Sequence, residues 1–380
     1  MVQSAAVLLA LALFAAPARA QPAHHPVNLS FLYPLATNRD PGISTNFRLN
    51  VLYARAGSVR GVDLGGLVAR TDGNFGGLEF AAVHSWIGGE FQGFAATGLV
   101  SVVGGKARGL QLAGLTNFDR GRFSGVQWAG LFNSVDGDVA GAQFCSVYNL
   151  CAGDAHWLQA ANVANVCAGA FTGVQLGSFN FAGRGASGTQ LGLCNSTAAL
   201  HGLQAGILNV GGNARGLQVG VVNIAQRLDG VPVGLVNVVH EDGEDGWLLL
   251  GSSLAAVSAG VRTSVHGMYS MVTAGFWDIH DDRTNTLLLD WHYGYAAKVG
   301  GDWRLGGDLG FVHLIPQPSD DPGVNDRLHC AVQPRLLVET NLGARLRVLG
   351  GVGASVIWNE YSADVAPETD PLVVLGIRSK

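Results

Sequence analysis

Between residues 57 and 240 the chain repeats one pattern of apolar and polar positions every fourteen to sixteen residues. Aligned on its glutamine, the pattern gives Gln111, Gln127, Gln143, Gln159 and Gln175 at a period of sixteen, then Gln190, Gln204 and Gln218 at fifteen, fourteen and fourteen. The same steps land on Asp63, Glu79 and Ala95 before this run and on Pro232 after it, making twelve units. A glycine stands two places before the anchor in eleven of the twelve, with Trp157 the exception. Asn117, Asn133, Asn149, Asn165, Asn180, Asn195, Asn209, Asn223 and Asn237 mark the other end of the unit. Self-similarity over such a span is the signature of a stacked-repeat fold.

Parity decides between the two β architectures that can repeat. Gln111 and Asn117 are six positions apart, whereas Gln218 and Asn223 are five apart. One inserted residue turns over every later side chain of a straight strand, but a coil with a corner between the two residues absorbs it. The repeats therefore predict a β-solenoid of about twelve coils, one unit of 14–16 residues per coil. Stacked Gln and Asn side chains are expected to form structural ladders that satisfy one another's amides. An evenly spaced polar row also suits a repetitive ligand. The columns Leu110, Val126, Leu203, Leu217 and Leu112, Trp128, Ala205, Val219 are expected to fill the interior. The glycines serve tight corners.

An acidic break at 241–246 ends this pattern, and the period becomes two. Trp303, Leu305, Leu309, Phe311, His313 and Ile315 fall on one face, opposite Asp302, Arg304 and Asp308. Leu289, Trp291, Tyr293, Tyr295 and Val299 oppose Asp290, His292 and Lys298, and Gly300-Gly301 supplies a hairpin turn. Residues 247–380 thus predict an antiparallel β-barrel-like domain of six to eight long strands. Apolar, aromatic-bearing outer faces and charged inner ones are what a membrane barrel requires. A soluble β-sandwich or barrel is the alternative. Residues 21–56 add strand candidates at 27–33 and 46–54, which a closed barrel could recruit across the repeats.

Composition narrows the class. Residues 1–20 read as a secretory signal, with an apolar run from Ala5 to Ala16 and Ala18-Arg19-Ala20 at the cleavage site. Loss of Arg19 takes the formal net charge from -5 to -6 (-5 - 1). Export and mild acidity argue against nucleic acid as a partner. Apolar residues make up 48% and glycines number 55. No later apolar run approaches the ~20 residues of a membrane helix. The expected location is the outer membrane or cell surface, alternatively the periplasm. The expected partners are outer-membrane lipid and an unidentified protein or glycan.

Motifs for chemistry are sparse. Cys151 and Cys167, sixteen apart, share one repeat column, so they read either as a disulfide between coils or as two small core residues. Residues 183–188 match GxGxxG by letter but lack the strand-to-helix context of a nucleotide site. Asp281-Asp282 and Asp320-Asp321 read as solvated loop charge rather than a calcium site. His24-His25 reads as part of a flexible terminus. Arg304, Asp308, Arg345 and Arg347 are expected to point inward and pair with one another, plugging a small barrel. No cofactor or metal is expected, and the chain reads as non-enzymatic. The rivals are a small-solute channel and an envelope enzyme using His292, Asp290 and Asp308.

The stretches GLQLAGLTN (109–117), GVQWAGLFN (125–133) and GLQVGVVN (216–223) resemble the bacterial GLQ-x-G-x-x-N surface-repeat family, first noted in leptospiral proteins and common in Bacteroidetes. The likeness covers about residues 57 to 240, and the first three units have lost both Gln and Asn. It implies a cell-envelope location. It brings no assigned activity and no catalytic residues.

Overall fold

The computed structural model describes residues 23–241, 243–277, 286–316, 329–359 and 367–380. The described chain is all β, with a parallel β-solenoid of many turns and a closed barrel of eight antiparallel strands. It divides into two compact units at Gly153/Asp154. That boundary falls inside the repeats and not at the acidic break, because the last repeats bond to the barrel.

In the first unit the turns from Phe75 onward each consist of a seven-residue strand and a four-residue strand, as in Ala107–Ala113 and Thr116–Asp119. Successive turns pair in parallel and in register, with Gln111 opposite Gln127 and Asn117 opposite Asn133. Gly109 bends the longer strand at φ +131°, and a Cβ there would lie 1.9 Å from the Gly93 carbonyl oxygen. Only glycine meets both conditions without strain. Trp157, at the same place in its own unit, holds φ +99°.

The N-terminal strands Val27–Leu32 and Ser44–Ala56 belong to the solenoid and not to the barrel. They pair in parallel with each other, and Ser44–Ala56 continues in parallel to Ser58–Gly65 and Val68–Thr71. The barrel needs no help from them. Its strands Gly243–Ser252, Ala255–Val265, Met268–Trp277, Thr286–Gly300, Trp303–Pro316, His329–Leu342, Leu346–Asn359 and Glu368–Ser379 close when the first pairs with the last, Leu249 opposite Ile377. The first strand takes in Gly243–Gly246, which the sequence places in a break.

The interior of the solenoid is the reverse of the expected one. Ala107, Gln111, Ala113, Asn117 and Asp119 are buried, while Leu110 and Leu112 lie on the outer surface. Trp128 is 58% exposed and Val126, Leu217 and Val219 are also exposed. The two amide ladders occupy the inward columns of Gln111 and Asn117, and the inward columns of Ala107 and Asp119 take apolar residues, among them Phe75, Phe91, Phe123, Phe171 and Leu200. Leu110 and Leu112 alternate with Gln111 and Ala113 along the strand and therefore face outward.

Candidate functional site

Three features stand out: the amide core of the solenoid, its outer faces, and the lumen of the barrel. In the first unit Gln127 Nε2 donates to Gln111 Oε1 at 2.8 Å and Gln143 Nε2 to Gln127 Oε1 at 2.8 Å. The asparagines run the other way, Asn117 Nδ2 to Asn133 Oδ1 and Asn133 Nδ2 to Asn149 Oδ1, each at 2.9 Å. The second unit repeats both ladders. Gln175 donates to Gln159, Gln190 to Gln175, Gln204 to Gln190 and Gln218 to Gln204, within 2.7–2.9 Å. Asn165 donates to Asn180, then Asn195, Asn209, Asn223 and Asn237 follow in turn at 2.7–2.9 Å. These side chains are buried, so no ligand reaches them. Pro232 stands opposite Gln218 and supplies no amide, which leaves Gln218 Oε1 without a partner.

Where the first units lack Gln and Asn, charge takes over. Buried Arg48 pairs with Asp63, Nε to Oδ1 at 2.9 Å, and donates to the Arg70 carbonyl at 2.7 Å. Glu79 accepts from Ser85 Oγ at 2.7 Å, and burial together with the Asp63 carboxylate raises its pKa. Asp119 accepts from Gln111 Nε2 at 3.1 Å and Gln127 Nε2 at 2.9 Å. Burial pushes its carboxyl up to about 7, opposed by the Gln111 hydrogen bond.

Outside, the first unit carries a polar groove of about 1070 Å³ lined by Arg60, Asn74, Gln92, Lys106, Arg108 and Arg122, among others. The groove follows the turn edge just before the glycine corner, and Glu90 also lines it. His24, placed in a flexible terminus from sequence, also lines this groove and lies 3.1 Å from Ser44 Oγ through Nδ1.

The barrel lumen is filled. Glu339 binds Arg262 and, at 3.1 Å, Arg378, while the Arg262 guanidinium stacks 3.8 Å above the Tyr269 ring. Glu244 binds Arg304 at 2.9 Å and Arg347 at 3.1 Å. Asp308 accepts from Arg335 Nε at 2.8 Å and Tyr269 Oη at 2.9 Å, with His292 Nδ1 3.3 Å away. Beyond these ion pairs Leu248, Leu288, Val312, Leu314 and Ile357 pack into one apolar cluster. Arg345 is not among the inward charges: it lies exposed in the turn after Leu342. Arg304 and Arg347 pair with Glu244, not with Asp308, because Glu244 is a strand residue and projects into the lumen. Glu244, Glu339, Arg262 and Arg378 were not grouped by sequence reasoning. Their pairing across the lumen depends on closure of the barrel, which the alternation along a single strand does not report.

In the second unit the last solenoid turn is docked on the outer wall of the barrel. Ser270 Oγ donates to the carbonyls of Gly234 and Leu235 at 2.9 and 2.8 Å, and Tyr293 Oη to that of Pro232 at 2.8 Å. Asn237 N donates to Thr263 Oγ1 at 3.2 Å, and Trp291 Nε1 to Ser270 Oγ at 3.0 Å. Nothing in the sequence pattern marked these hydroxyls.

Cys151 and Cys167 are buried thiols. Their Sγ atoms donate to the carbonyls of Gly137 at 3.3 Å and Ala170 at 3.5 Å, so the disulfide alternative is not what the structure contains. Equivalent residues of a parallel ladder have parallel Cα–Cβ vectors, which hold their Cβ atoms farther apart than the ~3.8 Å of a disulfide. Residues 1–20, Asp281-Asp282 and Asp320-Asp321 lie outside the described residues.

No protein-family profile matches the chain, and no curated protein does. Among solved structures, the N-terminal β-barrel domain of Pseudomonas aeruginosa OprF aligns over 36% of this chain and 96% of its own at 10% identity, with a TM-score of 0.29. A likeness at that score carries no argument.

Proposed function

We propose that this chain is a non-enzymatic envelope protein, anchored by an outer-membrane β-barrel and presenting its solenoid as an interaction surface. One observation carries the reading: the closed barrel turns its apolar side chains outward and its charges inward. Leu305, Leu309, Val352 and Leu375 are each at least half exposed, while Arg262, Asp308, Arg335 and Glu339 are buried. Water-facing barrels place these classes the other way round, and outer-membrane barrels place them so. The groove beside Arg60, Lys106 and Arg108 is the part of the solenoid chemically suited to a polar partner, such as a glycan or protein. The expected likeness to leptospiral-type surface repeats fits an envelope location. The lumen speaks against a channel, because eight strands leave an interior only wide enough for side chains, and ion pairs and leucines occupy it. It speaks equally against an enzyme built on His292, which is buried against Asp308 and Arg335. The test is heat-modifiable migration on SDS gels, with carbonate extraction of the envelope fraction. A folded band that shifts on boiling and stays with the carbonate-washed membrane is expected. A carbonate-soluble protein with no shift would overturn the membrane anchor.

A further inference from the structure

The outward faces of the solenoid have a chemistry that an aqueous protein surface does not. Four columns face out, those of Leu110, Leu112, Leu115 and Phe118, and each recurs in all twelve units. Their forty-eight positions hold a single formally charged residue, Arg70. The other outward charges, among them Arg60, Arg108, Arg122, Arg184 and Arg215, lie along one edge of the turn. In the first unit Leu67, Leu78, Leu99 and Leu131 are exposed on these columns, and in the second Leu193, Ile207 and Val221 are. Ordinary soluble monomers rarely expose contiguous apolar patches beyond a few hundred Å². Within each unit these columns run through every turn.

We infer that these faces of the second unit are embedded in lipid, so that its solenoid turns lie within one leaflet of the bilayer that holds the barrel, with the charged edge of Arg184 and Arg215 at the headgroups. This rests on the membrane reading of the barrel. Two further features argue for lipid over a protein partner. First, hydrocarbon requires every backbone polar group to be satisfied internally. The parallel ladder does this between turns. In the last turn Ser270, Tyr293 and Thr263 supply partners for the carbonyls of Gly234, Leu235 and Pro232 and for Asn237 N, and they project from the barrel's outer wall among apolar residues that are 49–55% exposed, Val261 and Tyr295. The solenoid's apolar surface therefore continues onto the barrel's own. Secondly, the dimensions match. A face such as 109–113 is about 17 Å across at ~3.3 Å per residue, near the ~15 Å of hydrocarbon in one leaflet of a ~30 Å core.

The leaflet follows from topology. Gly243 pairs with Val265, and Leu346 with Ser379, so the solenoid enters the barrel at the end that carries the short connections 266–267, 301–302 and 343–345. In outer-membrane barrels the short turns are periplasmic. The periplasmic leaflet is thus the one assigned.

The experiment is photocrosslinking of the full chain, folded into phosphatidylethanolamine–phosphatidylglycerol vesicles that carry a diazirine on the acyl chain, with adducts mapped by mass spectrometry. Adducts are expected on the barrel wall around Leu305–Phe311 and on the solenoid columns around Leu193, Ile207 and Val221, with loss of signal along the Arg184–Arg215 edge. Barrel adducts without solenoid adducts overturn the inference and leave the anchor intact. If the protein is then dimeric in detergent by light scattering, a second copy covers the faces. Absence of adducts from both regions overturns the barrel reading itself.

Discussion

Asp119 and Gln175 show how a core of polar side chains behaves at the level of single residues. Asp119 is buried and takes one hydrogen bond on each carboxyl oxygen. Burial raises its pKa from 3.8 to about 7. A raised carboxyl contributes its full stability below the unfolded value and loses it as pH rises through the folded one. The urea midpoint of solenoid unfolding should therefore fall between about pH 4 and 7, and Asp119→Asn should flatten that dependence. An unchanged slope in the variant would assign the effect elsewhere. Gln175 instead links two neighbours, donating to Gln159 and accepting from Gln190. Gln175→Leu removes one partner from each, at about 1–3 kcal/mol for every buried amide atom left unsatisfied. Urea denaturation reads this directly. A loss below about 0.5 kcal/mol would mean that another polar partner takes the place of the ladder bond.

At the level of the element, the glycine corner makes the sharper forecast. Trp157 occupies a left-handed backbone conformation while its side chain is 75% exposed. Strain of this kind costs on the order of 1–3 kcal/mol, so Trp157→Gly should raise the urea midpoint in detergent, and Gly109→Ala should lower it sharply. A fall in stability for the Trp157 variant would show that the indole contributes more than its backbone costs. The corner positions were legible in the sequence because glycine recurs in register, and so was the barrel, whose period-two pattern reads correctly for Leu289 to Val299 against Asp290 and His292. Which way the solenoid faced was not. Hydrophobic burial favours the leucine columns as the core, and that default fails where amide ladders hold the alternate positions of the same strand inside. The usable signal was the parity of the amides: Gln111 and Ala113 share one face of the strand, so Leu110 and Leu112 share the other. The docking hydroxyls Ser270, Thr263 and Tyr293 were illegible for a different reason, since each lies on a strand face whose alternation is otherwise ordinary.

At the scale of the whole molecule, the contents of the lumen separate an anchor from a pore. Two barriers lie in series along the barrel: the Glu244–Arg304–Arg347 and Glu339–Arg262–Arg378 ion pairs, and the cluster around Leu288, Val312 and Leu314. Glu339→Gln removes the carboxylate that faces Arg262, and breaking one side of a buried pair costs about 3–5 kcal/mol. The folded band on SDS gels should accordingly convert at a lower temperature than in the parent. The apolar cluster is untouched by that change, so the variant and the parent should both hold planar bilayers at baseline current. If the two barriers act independently, only a second change that also truncates Leu288 and Leu314 admits ions. Conductance steps from the parent protein would contradict the filled lumen and return the channel reading, because a barrel of this size passes ions only where its side chains leave a continuous path of water.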